Sequence, residues 1–188
     1  GIEGEKEFKK ALSEINQSFK VLGSEMKLVS SQFDKNDKSV QALSARNTVL
    51  NKEIEAQKNK VETLRAALRN AADSFGENDR RTQNWQIQLN NAEAALNSME
   101  RELSDNERAI EALSQEETDA ADATERLSQE IARQEDALAG MKRAYSNAVL
   151  QYGKGSSEAK ELEGRISRLS VELRENRERM KDAGDVAE

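Results

Sequence analysis

The chain has 188 residues and a formal net charge of −7, with 35% charged residues and no proline, cysteine or histidine. An acidic chain lacks the basic surface that binding to phosphates requires, so we expect no direct nucleic-acid binding. Because proline costs about 3 kcal/mol inside a helix, its absence favours a mostly helical chain. Only 36% of the residues are apolar and 4% are aromatic. This composition fits narrow contacts between helices better than one thick hydrophobic core.

Four helices are predicted in chain order, near residues 4–33, 37–75, 79–152 and 156–183. The sequence opens with "GIEGEKEF" instead of Met, so we expect a fragment or a processed product. No apolar run approaches the ~20 residues that a membrane span needs, so no membrane span is expected.

Two of the breaks between these helices are marked by glycine. Gly76 is predicted to end the second helix as its C′ residue, and an Asn or Asp, with Asp79 as the candidate, to cap the third. The next break carries Gly153 and Gly155, with Ser156 as the cap of the fourth helix. The first break, "FDKNDKS" at residues 33–39, contains no glycine and is the least marked of the three.

A heptad pattern runs along the whole chain. Steps of four and three residues from Phe8 to Ala183 visit 51 positions without a phase change, and 40 of them are apolar. This period predicts a coiled coil, in which the a and d side chains form one packing stripe. We call this stripe the seam, and its large members are Phe8, Leu12, Ile15, Phe19, Leu22, Met26, Val29, Phe33, Leu50, Ile54, Val61, Leu64, Leu68, Phe75, Trp85, Leu89, Leu96, Leu103, Ile110, Leu127, Ile131, Leu138, Tyr145, Tyr152, Leu162, Ile166, Leu169 and Leu173.

Polar residues interrupt the seam at a few positions. A buried Asn in a seam can fix register and oligomeric state, whereas an Asn in a turn buries nothing. We expect Asn36 and Asn78 to lie in turns, and for Asn47 both interpretations stay open. The other Asn and Gln residues at seam positions are Gln57, Asn106, Gln134 and Asn176.

The breaks favour antiparallel hairpins, because short connections join neighbouring antiparallel helices. The unbroken heptad phase favours the alternative, one near-continuous helix in a parallel oligomeric rod. Under the hairpin interpretation residues 1–113 form a helical coiled-coil bundle, residues 114–125 a polar acidic bridge, and residues 126–188 a second hairpin. In the bridge, "SQEETDAADATE", Glu117, Ala120 and Thr124 hold the seam positions, so packing is weakest there.

An internal repeat is indicated by a shift of 77 residues. The shift aligns residues 50–106 with residues 127–183 and superimposes the two glycine breaks, Gly76 on Gly153. The other identities include Leu50/Leu127, Ile54/Ile131, Gln57/Gln134, Ala71/Ala148 and Leu96/Leu173. Coinciding breaks favour a true repeat over heptads that match by chance.

Catalytic chemistry has few candidate residues in this sequence. Without His or Cys, the commonest general base, the thiol nucleophile and the usual transition-metal ligands are missing. The segment "GKGSSE" lacks the third glycine of a dinucleotide loop, and "DKNDKS" has Ser39 where a calcium loop needs glycine. We therefore predict no enzyme activity and no catalytic, cofactor-binding or metal-binding residue.

The opening segment "GIEGEKEFKKALSEINQSFKVLGSEMKLVSSQFDKNDKSV" resembles the start of tail tape measure proteins of long-tailed bacteriophages and prophages of Gram-positive bacteria. The later "AADSFGENDRRTQNWQIQLNNAEAALNSMERELSDNE" is similar to the segment that follows in that family, and "YGKGSSEAKELEGRI" to its recurring Tyr-Gly turn.

This resemblance implies a long helical virion protein that sets the length of the tail tube. Such a protein occupies the tube lumen until DNA ejection, after assembly in the host cytoplasm. The partners that it implies are other copies of the chain, the tail tube protein, tail-tip proteins and tail assembly chaperones. A coiled-coil scaffold or oligomerisation module without a ruler role is the alternative.

Overall fold

The computed structural model describes residues 4–187, with side chains described as far as residue 184, and it confirms the predicted all-α fold. Four helices follow one another, α1 (Glu5–Ser31), α2 (Val40–Phe75), α3 (Arg80–Tyr152) and α4 (Ser157–Ala187). No strand occurs among the described residues.

Capping interactions account for where α2 begins. The sequence predicts a start near residue 37, but α2 begins at Val40 because Ser39 is its N-cap. The hydroxyl of Ser39 accepts a hydrogen bond from the Ala42 N–H at 3.2 Å, which satisfies one of the free donors of the first turn. The last helix continues to Ala187, beyond the predicted end at residue 183.

Two compact units divide the chain, unit 1 over Gly1–Ser114 and unit 2 over Gln115–Glu188. The boundary lies inside α3, so this helix contributes its first part to unit 1 and its second part to unit 2. Unit 1 also contains α1 and α2, and unit 2 also contains α4.

In unit 1, α2 and the first part of α3 pack antiparallel. The Asn106 side chain bonds to that of Asn47 near the start of α2. Nearer the end of α2, Arg65 lies 2.9 Å from Glu93. The partner's number falls along α3 as the residue number rises along α2, which is the order of a hairpin closed at Gly76.

The remaining helix of unit 1 is α1, which lies antiparallel to α2. Glu25 lies 3.3 Å from Lys52, and Asn16 accepts a hydrogen bond from Lys60 at 3.3 Å. Three helices thus surround one core, whose buried members are Leu12, Val61, Leu64, Ala67, Ala71, Trp85, Leu89 and Ala92.

Unit 2 pairs the second part of α3 with α4. Because only the four residues 153–156 connect these helices, contacts between residues 42 positions apart place the two helices antiparallel. Its central contacts join Gln134 to Asn176 and Glu135 to Arg177, at 2.9 and 3.0 Å. The buried residues of unit 2 among those described are few: Gln134, Ala148, Ala159, Leu173 and Asn176.

Candidate functional site

The seam in unit 1 is a packed surface. Its large members are buried at Leu12, Leu22, Leu50, Ile54, Val61, Leu64, Trp85 and Leu89. The others are half-buried: Phe8, Ile15, Phe19, Met26, Val29, Phe33, Leu68, Phe75, Leu96, Leu103 and Ile110. Burial of these side chains is the main favourable term for packing the three helices together.

The seam in unit 2 is more open. Leu173 is buried, and the half-buried members are Leu127, Ile131, Leu138, Tyr145, Leu162, Ile166 and Leu169. Tyr152 differs from its predicted place in the seam, because its side chain is 56% exposed. It is the last residue of α3, and Gly153 turns the chain away directly after it.

Four buried polar side chains of the seam have polar partners on the facing helix. In unit 1, Asn47 accepts from Asn106 Nδ2 at 2.8 Å, and Gln57 Nε2 donates to the Ala92 carbonyl at 2.8 Å. In unit 2, Asn176 Nδ2 donates to Gln134 Oε1 at 2.9 Å. Buried polar groups cost free energy unless they are bonded, so these contacts favour one register of each helix pair.

Asn36 and Asn78, which were expected in turns, lie outside the helices and are exposed. Asn47 is instead a buried Asn of the seam, and its side chain is paired with that of Asn106. The burial of these three residues follows from whether a facing helix covers them.

The two glycine turns share one hydrogen-bond pattern. The N–H groups of Gly76 and Gly153 donate to the carbonyls of Ala72 and Val149, at 2.8 and 2.9 Å. Three residues further on, the N–H of the capping residue donates to the glycine carbonyl, in both turns. Both glycines have a positive φ, 88° and 94°, which a residue with a Cβ rarely adopts.

The capping residues of these turns sit 77 positions apart. Asp79 Oδ1 accepts from the Arg81 N–H at 2.8 Å, and Ser156 Oγ accepts from the Ala159 N–H at 3.1 Å. Gly155, the second glycine of the later turn, is exposed and has no positive φ. The 77-residue repeat of the sequence is therefore also a repeat of turn geometry.

The side chain of Arg81 closes the turn at Gly76. The Arg81 guanidinium lies 3.2 Å from the centre of the Phe75 ring and also bonds to the Asp79 carboxylate. Hydrogen bonds from the Arg81 side chain, and then from its backbone N–H, hold the pKa of Asp79 below its usual range. This arrangement links the last residue of α2 to the start of α3.

Two further carboxyl groups of unit 1 have perturbed pKa values. Ser39, through a backbone N–H bond at 2.8 Å and then its side chain, lowers the pKa of Asp37. Partial burial, and then repulsion from Glu102, raises the pKa of Glu53. The ionised form of Glu53 is therefore less favourable in the folded chain than in water.

Several buried residues of unit 1 were not among the predicted seam members. Ala42, Val49 and Ala67 lie beside the seam on α2 and are 0%, 4% and 1% exposed. A second apolar row next to the seam is the signal that could have revealed them, because it indicates a helix that packs against two neighbours. Thr82 is also buried, and its hydroxyl has no hydrogen-bond partner in the described part of the chain.

The acidic segment of α3 is exposed. Glu117 and Ala120, both at seam positions, are uncovered, and a groove of about 1030 Å³ runs from there to Met180 and Ala183 in unit 2. Among residues 4–187, no three His, Cys, Asp or Glu side chains are grouped closely enough to hold a metal ion.

No helix in the described range combines the length and the apolar character needed to cross a membrane. Comparisons of the chain with protein-family models, with curated proteins and with solved structures found no match.

Proposed function

We propose that this chain is a structural protein of a long-tailed phage, a portion of the tape measure that sets the length of the tail tube. The observation that carries the proposal is the opening segment, residues 1–40, which resembles the start of such proteins. The two later segments that resemble the same family, at residues 71–107 and 152–166, add to it.

The physical properties of the chain suit a ruler. A helix adds about 1.5 Å per residue, so a helical chain converts sequence length into distance at a constant rate. A seam of period 3.5 lets helices associate as thin coiled coils, which fit the lumen of a narrow tube.

Hairpins shorten a chain, so a ruler built from this sequence has to open. We infer that the glycine turns are closed in the free chain and extended in the tube. The unbroken heptad phase supports this inference, because an opened chain keeps all its seam residues on one stripe. The tube protein, tail-tip proteins and assembly chaperones would be the partners of the extended form.

The scaffold alternative has its own supporting observation. The buried polar residues Asn47, Gln57 and Gln134 each find a partner on the facing helix of a closed hairpin. An interaction module would use these closed hairpins as its working structure, with no need to open.

Tail length measured by electron microscopy separates the two functions. An in-frame deletion of residues 107–183 from the parent phage removes 77 residues, which are 11 complete heptads, and keeps the seam in phase. A ruler that is extended as a helix gives tails about 115 Å shorter, and a duplication of the same residues gives tails longer by the same amount. Tails of unchanged length in both variants would contradict the ruler and favour the scaffold.

A further inference from the structure

The turn between α2 and α3 is held by local contacts. Its hydrogen bonds join residues no more than four positions apart, and the longest, from the Asp79 N–H to the Gly76 carbonyl, measures 3.4 Å. Gly76, Glu77 and Asn78 are exposed, and a Cβ built on Gly76 would meet no atom within 4 Å. Opening this turn therefore breaks its own local contacts, and the contacts between α2 and α3 then have to form again between two chains.

The heptad phase passes through this turn without a shift. Phe75, Asn78 and Thr82 follow one another at steps of three and four, as the a and d positions of one helix do. A helix continued through the turn would keep the seam of α2 and the seam of α3 on one face. In the closed hairpin the two seams face each other, so this continuity serves no purpose there.

The bonded pair Asn47 and Asn106 is placed symmetrically about the turn. In sequence, the midpoint between Asn47 and Asn106 falls between Gly76 and Glu77. If the turn opened, two copies of the extended α2–α3 helix could lie antiparallel about a two-fold axis at that midpoint. Asn47 of each copy would then meet Asn106 of the other, so the same seam contacts would form between chains.

We propose that the seam of unit 1 binds a second copy of this chain by opening the Gly76–Asp79 turn, giving a two-fold dimer with exchanged helices. The interface is the hairpin interface itself, now shared between copies, and it needs no new apolar surface. Exchange of an identical element between protomers is a low-cost route to a dimer. This inference concerns the isolated chain and does not depend on a role in phage tails.

Three turn residues decide the balance between the two forms. Gly76 favours the closed turn, because glycine readily adopts the φ of 88° found there and destabilises a helix when it lies in the interior. Asp79 favours it as the N-cap of α3. Asn78 is exposed in the turn, but in the dimer it would occupy a seam position beside Phe75 of the second copy. The corresponding turn of unit 2 carries two glycines, Gly153 and Gly155, and resists helix continuation more.

The double variant Gly76→Ala with Asn78→Leu, in the full chain, tests this proposal. Alanine favours the helix about fivefold over glycine and resists the positive φ at least about fivefold. With two chains in each dimer, these factors raise the association constant about 600-fold. Light scattering after size exclusion should show a dimer at concentrations where the unmodified chain is a monomer. The control Glu77→Ala changes neither a positive φ nor a seam position and should leave the mass unchanged.

Crosslinking of two introduced cysteines by a short bismaleimide identifies which helices pair in that dimer. The Arg65 guanidinium lies 2.9 Å from the Glu93 carboxylate, so the cysteines of Arg65→Cys and Glu93→Cys lie within reach of a short bismaleimide, which joins them inside one chain in a closed hairpin. In the exchanged dimer the same cysteines link two chains. Covalent dimers in the double variant, and covalent monomers in the unmodified turn, are the expected result.

Two outcomes would overturn the proposal. One is a double variant that stays monomeric with its crosslink inside the chain, and the other is a dimer whose crosslinks remain within chains. If the double variant does not fold, the chain with only the two cysteines can be refolded from urea at rising concentrations. A growing share of covalent dimers is then expected, and covalent monomers at every concentration would contradict helix exchange.

Discussion

The two hairpins of this chain share a turn and differ in what covers them. In unit 1, α1 packs on the hairpin, and Ala42 and Val49 beside the seam of α2 are buried. The residues 77 positions later in unit 2 are Asp119 and Arg126, and both are exposed. A helix that contacts two neighbours needs a wider apolar face than the a and d stripe of a two-helix coiled coil. The packing of α1 on the hairpin is thus indicated in the sequence by a few small apolar residues beside the seam.

The same position also acquires different partners in the two hairpins. Gln57 and Gln134 are equivalent in the repeat, and both are buried. Gln57 donates to the Ala92 carbonyl, whereas Gln134 accepts from the Asn176 side chain. The repeat therefore fixes where a polar group enters the seam, and the facing helix decides how it is satisfied.

The largest expected difference between the hairpins comes from one core position. Leu64 is 0% exposed, and its equivalent Met141 is half-buried. We expect Leu64→Ala to destabilise unit 1 by about 3–5 kcal/mol, because it leaves a cavity among three helices, and Met141→Ala to cost unit 2 about half as much. Trp85, the single Trp of the chain and a residue of unit 1, reports the first loss by fluorescence in urea. Circular dichroism reports the second, and equal losses would contradict the role given to α1.

A smaller effect is expected at the polar pair of unit 2. Asn176→Ala leaves Gln134 buried without a partner, which costs about 1–3 kcal/mol. The double variant Gln134→Leu with Asn176→Leu removes both polar groups and should recover that stability in urea unfolding followed by circular dichroism. In unit 1, Asn47→Ala should cost less, because water can reach the half-buried Asn106. A double variant as unstable as Asn176→Ala would show that the hydrogen bond is not the cause.

A stabilising change is expected at the start of α3. The buried Thr82 hydroxyl has no hydrogen-bond partner in the described part of the chain, and the equivalent residue of unit 2 is Ala159, also buried. Thr82→Val keeps the shape and removes the polar group, which should stabilise unit 1 by about 1 kcal/mol. Exposed Thr48→Val is the matched control and should show no gain. A loss of stability at Thr82→Val would mean that the hydroxyl is satisfied in solution.

The smallest effect concerns the ionisation of Glu53. Its pKa is raised in the folded chain, so the folded state binds its proton more tightly than the unfolded state does. The ionised carboxylate therefore destabilises unit 1 above the raised pKa, and the penalty disappears as the pH falls below the ordinary glutamate pKa. Glu53→Gln should raise the melting temperature at pH 7 by no more than about 2 °C and leave it unchanged well below that pKa. The exposed Glu55→Gln is the control, and an equal gain at both sites would contradict the assignment to Glu53.

Local sequence patterns predicted the fold class and the positions of the two glycine turns. The heptad stripe and the absence of proline predicted the all-α class, because both act along the chain and need no knowledge of distant contacts. Gly76 and Gly153 marked the two turns for the same reason, since a positive φ is a local requirement.

Nonlocal contacts account for what the sequence did not predict. Val49 is buried although it lies beside the seam, where a stripe along one helix does not predict burial. Tyr152 fits the stripe but lies at a helix end, and its equivalent Phe75 is instead half-buried beneath Arg81. The partner of Asn47 is 59 positions away, so its burial could not be decided before the helices were paired.

The central claim is that the seam closes within one chain, and a distance between spin labels tests it most directly. The chain has no cysteine, so labels at Thr48→Cys and Glu107→Cys are unique. Both sites are exposed and adjoin the bonded pair of Asn47 and Asn106. Dilution with unlabelled chain at low concentration keeps the measured distance within one molecule.

Packed helix axes lie about 8–10 Å apart, so a closed hairpin predicts a label distance below about 30 Å. A continuous helix from residue 48 to residue 107 would separate the labels by about 90 Å. The account predicts the short distance in the free chain, and a dominant long distance would contradict it.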